Sequence, residues 1–76
     1  MTTNYDILIK LCPDGGFKYV PLTQKAHEEF ATSMYLVNED GSIYFRGSNI
    51  EERKYYLKKH FPSLTYRIEG ERRMFT

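Results

Sequence analysis

The chain has 76 residues, 41% of them apolar and 28% charged, with a formal net charge of +1. That length holds one domain, residues 1–76, with a small core, and the mix of apolar and charged side chains is that of a folded chain and does not resemble a disordered tail. A lone cysteine, Cys12, excludes an internal disulfide, and no apolar run is long enough for a membrane span or signal peptide, so a cytoplasmic protein is expected.

Alternation comes first along the chain. Tyr5, Ile7, Ile9 and Leu11 fall on one side of a strand, with Asp6, Leu8, Lys10 and Cys12 on the other. Pro13-Asp14-Gly15-Gly16 is turn chemistry, and Phe17 to Pro21 is expected to pair back antiparallel. Thr23 offers a hydroxyl to cap a short helix in which Ala26, Phe30 and Met34 recur at helical spacing. The helix is expected to fray near Thr32-Ser33, where β-prone Tyr35-Leu36-Val37 begins. Asn38-Glu39-Asp40-Gly41 predicts a second hairpin, with Ser42 to Arg46 as its return strand.

The second helix carries the clearest signals. Ser48 and Glu51 fit a capping box, and Ile50, Leu57 and Phe61 form an apolar stripe. Glu51 and Glu52 open the helix while Lys58, Lys59 and His60 close it, which complements its dipole at both ends. Pro62 forbids continuation, Leu64, Tyr66 and Ile68 alternate as another strand, and a short strand after Gly70 is optional. Asp14-Gly15-Gly16-Phe17 and Asp40-Gly41-Ser42-Ile43 also match, offset by 26 residues. Hairpin-then-helix is a common local unit, and since only the turns match in identity, two copies need no duplication. The expected fold is α+β: one antiparallel sheet of five or six strands with both helices on one face, in the order ββαββαβ(β).

Charge divides unevenly along this order. Residues 1–45 hold three lysines against six carboxylates, a net of −3, and residues 46–76 hold eight cations against four carboxylates, a net of +4. The open face of the sheet would present Lys10, Lys18, Tyr35, Tyr44, Arg46 and Arg67. Tyrosine and cations together suit a protein interface, and they also suit stacked bases and phosphates. An alternative surface is the outer side of the last helix, with Tyr55, Lys58 and Lys59.

Catalytic signatures are missing from the sequence. No glycine loop cradles phosphate, and His27-Glu28-Glu29 resembles a zinc helix only until Ala31, where the second histidine belongs. Cys12, His27 and His60 are too dispersed to propose a metal site, and Cys12 reads as packing rather than as a nucleophile. Glu28 and Glu29 read as partners of a helix N-terminus rather than as acid and base. The expectation is a non-enzymatic protein without cofactor or metal. It docks on a larger protein or complex as an inhibitor or modulator, with nucleic acid as the alternative partner and no membrane. A phage or mobile-element origin is consistent with such a chain.

Overall fold

In the computed structural model, which describes residues 5–47 and 49–69, the order of elements is ββαβαβ. Strands β1 (Ile7–Leu11) and β2 (Phe17–Pro21) form the central hairpin, α1 runs Gln24–Ala31, β3 Ile43–Phe45, α2 Ile50–His60 and β4 Tyr66–Ile68. The sheet order is β3-β2-β1-β4. Cross-strand partners Ile9↔Tyr19 and Tyr19↔Ile43 put the apolar residues of three strands on one face. Ala26 and Phe30 from α1 and Leu57 from α2 join Ile7, Ile9, Tyr19 and Ile43 in one buried cluster, so both helices cover that same face.

Two sequence expectations are corrected here. The described sheet has four strands rather than five or six, and it is mixed: β4 pairs parallel with β1, Ile7 opposite Tyr66 and Ile9 opposite Ile68. Parallel pairing follows from the connection. β3 already runs in the direction of β1, and α2 carries the chain over the sheet to re-enter in that direction, as helical crossovers do.

The missing strand is Tyr35-Leu36-Val37. Tyr35 turns its ring onto the helix side, edge-on to Phe45 at 5.3 Å and to His60 at 5.6 Å between centroids. Packing that ring against the core draws the backbone away from β3, which leaves β3 at the edge of the described sheet, and Leu36 is left in solvent. Helix α1 stops at Ala31, capped by Thr32, so Met34 lies outside it and does not continue the stripe of Ala26 and Phe30. Glu28 and Glu29 consequently fall in the last turn of α1, not near its N-terminus.

The N-cap of α2 is Asn49, whose side chain accepts the Glu52 N–H at 2.9 Å; Ser48, expected to cap, lies outside the described residues, as does the optional strand after Gly70. The matched turns are structurally alike. Asp14 Oδ1 accepts the Gly16 N–H at 2.9 Å and Asp40 Oδ1 the Ser42 N–H at 3.0 Å. Gly15 and Gly41 both take φ of +91°, a conformation glycine reaches without steric cost. Cys12 N–H bonds to Gly16 O as Asn38 N–H bonds to Ser42 O. Only the first of these turns joins two strands.

Candidate protein-docking surface

The register fixes what the open face of the sheet presents. Tyr44 on β3 lies opposite Lys18 on β2, which lies opposite Lys10 on β1, giving one row across three strands. Val20, Leu8 and Arg67 form the next row. Arg46 follows β3 and is exposed, and its charge acts on Asp14. The structure therefore brings together five of the six residues expected on this face. The exception is Tyr35, which lies on the opposite, helix-covered side.

Tyr44 is not a free anchor, however. Its hydroxyl donates to a carboxylate oxygen of Asp14, so the ring clips β3 to the first hairpin turn. That hydrogen bond, followed by the Gly16 N–H, holds the Asp14 carboxyl below its ordinary range and pushes the Tyr44 phenol up. Lys10 and Lys18 stand directly opposite one another, and like charges in that position repel.

A second surface arises where the ends of both helices meet the loop before β3. Met34 and Leu36 are 89% and 92% exposed, and Tyr55 on α2 is 63% exposed. Between them runs a chain of rings. Tyr35 meets His60, His60 stacks on Tyr56 at 5.3 Å, and Tyr55 meets Tyr56 edge-on at 6.4 Å. Lys59 Nζ lies 5.8 Å from the Tyr55 ring, while Lys58 and Lys59 are both exposed. A cleft of about 220 Å³ opens beside this chain, bounded by Glu29, Ser33, Met34, Tyr35, His60 and Phe61.

Beneath the rings lies a residue that sequence reasoning missed. Arg53 is 4% exposed, with its guanidinium carbon 4.0 Å from the Phe45 centroid and 4.7 Å from that of Tyr56. Its Nε and Nη1 are buried with no hydrogen-bond partner among the described residues. Stacking between two rings offsets part of that cost, at about 0.5–2 kcal/mol per ring. The Tyr19 hydroxyl donates to the Arg53 carbonyl at 2.5 Å, and burial pushes that phenol up to about 12. Burial also raises Tyr35, and the neighbouring Tyr56 adds to the effect. The spacing 50-53-57-61 was the available signal, because it places Arg53 on the stripe of Ile50, Leu57 and Phe61.

Among the described residues, no three histidine, cysteine or acidic side chains come close enough to hold a metal ion, and no helix is long and apolar enough to cross a membrane. Compared with known proteins, the chain matches no family model, no curated protein and no solved structure.

Proposed function

We propose that this chain is a non-enzymatic docking protein that binds a larger protein or complex and modulates it. The surface is the patch formed by Met34, Leu36, Tyr55 and Tyr56, with Lys58 and Lys59 at its margin. The observation that carries the reading is the exposure of Met34 and Leu36 on either side of Tyr35, whose ring meets His60 of the tyrosine-bearing helix. A domain this small has little apolar surface to spare, and exposed apolar groups gathered with tyrosines mark contact sites. Met and Tyr are also residue types enriched at interfaces.

The test is affinity capture from a lysate with and without nuclease, using wild type, Met34→Ser with Leu36→Ser, and Tyr44→Ala with Arg46→Ala. Nuclease-resistant retention of a protein, lost in the Met34/Leu36 variant and kept in the Tyr44/Arg46 variant, is the expected result. Retention lost only in the Tyr44/Arg46 variant moves the surface to the open sheet face.

One observation favours nucleic acid as a second reading: the row Tyr44, Lys18 and Lys10 with Arg67 beside it on one open face. Contacts to about four phosphates would give log K falling with log salt at a slope near −3 to −4. Submicromolar binding to RNA or DNA with that slope, at physiological salt, selects this reading.

A further inference from the structure

Helix α1 is charged against its own dipole. Its first turn carries no acid, and its last turn holds Glu28 and Glu29 with no base. A helix C-terminus bears partial negative charge, so carboxylates there repel it and a cation is favoured. Glu28 has a local partner, because the Gln24 amide donates to it at 3.2 Å. Glu29 has no ion pair among the described residues, and it forms one wall of the cleft.

The remaining walls supply what a cation on an alkyl stem packs against. Tyr35 and His60 stand edge-to-face, 5.6 Å apart and 83° to one another, and Phe61 lies beneath. Aromatic faces attract cations, and alkyl chains pack well against them. Thr32 and Ser33 donate their hydroxyls back to carbonyls of α1, so they do not compete for Glu29. Arg53 is not a wall of this cleft. At about 220 Å³ the cavity is smaller than typical small-molecule sites of roughly 300–1,000 Å³, and its size suits one side chain.

We propose that the cleft between Glu29, Tyr35 and His60 receives a lysine or arginine side chain of the protein on which this chain docks. The inference rests on the docking reading and adds its chemistry. Met34 and Leu36 give the apolar contact, and the cleft selects a cation beside it.

The test needs no partner. Wild-type protein is titrated by NMR with N-acetyl-lysine amide, N-acetyl-arginine amide and the neutral N-acetyl-norleucine amide. The expected result is saturable millimolar binding of at least one cationic amide, with shifts centred on Glu29, Tyr35, His60 and Phe61. Binding should weaken at least tenfold in Glu29→Gln and persist in Glu39→Gln, which removes an exposed acid elsewhere. Absence of saturable shifts, equal binding of the norleucine amide, or full binding in Glu29→Gln would each overturn the proposal. A positive titration alongside failed capture would leave the cleft standing and remove the docking reading, so the two failures are distinguishable.

Discussion

Asp6 joins three separate parts of the chain. Its Oδ1 accepts the hydroxyl of Thr23, the α1 cap, at 2.8 Å, and its Oδ2 accepts the Thr65 N–H at 3.1 Å. The Thr65 N–H bond, then the Thr23 hydroxyl, hold its carboxyl below the ordinary range, and Asp14 and Asp40 are held low by Tyr44 and Ser42. Depressed carboxyls contribute stability that is present above their unfolded values, near pH 4, and lost as pH falls through the folded ones. Melting temperature should therefore fall as pH drops from about 5 to 2, more shallowly in Asp6→Asn. An identical slope in that variant would show that Asp6 contributes nothing to the pH response.

Arg53 is a second residue-scale case. A buried cation without a hydrogen-bonded counter-ion is costly, and an apolar residue of similar volume is often tolerated in such a place. Arg53→Met should stay within about 1 kcal/mol of wild type, while Arg53→Ala should cost about 2–4 kcal/mol by opening space beneath Phe45 and Tyr56. Chemical denaturation of both variants checks this. A large loss in Arg53→Met would mean that the charge itself holds the site together.

Among the elements, the tightest fit is where β3 crosses the first hairpin turn. A Cβ on Gly16 would lie 2.5 Å from the Tyr44 hydroxyl and 2.7 Å from the Phe45 carbonyl, and the latter is backbone. Gly16→Ala should cost about 1–3 kcal/mol through forced displacement of β3, read as a lower denaturation midpoint. The central hairpin, both helix positions and the core role of Leu57 were legible in the sequence, because alternation, turn residues and helical spacing agree there. Tyr35-Leu36-Val37 was not legible. Its β propensity is real, but the ring of Tyr35 gains more from Phe45 and His60 than the backbone gains at an open edge. The same limit applied in part to the candidate site. Five open-face residues follow from parity, and Arg53 was readable from its place on the stripe of Ile50, Leu57 and Phe61, whereas the cleft depends on how two helix ends meet a loop, which no local pattern encodes.

For the whole molecule, one buried cluster must hold a sheet and two helices together. Leu57 is fully buried within it, so Leu57→Ala should cost about 2–5 kcal/mol and come close to unfolding a domain of this size. Met34 and Leu36 lie outside that cluster, so replacing them should leave the melting temperature unchanged. This separation makes the docking surface testable without disturbing the fold. The most direct measurement is calorimetric titration of the captured partner with wild type and with the Met34→Ser, Leu36→Ser protein. The variant should bind at least thirtyfold more weakly, about 2 kcal/mol, at an unchanged melting temperature. Equal affinity in the two proteins would contradict it.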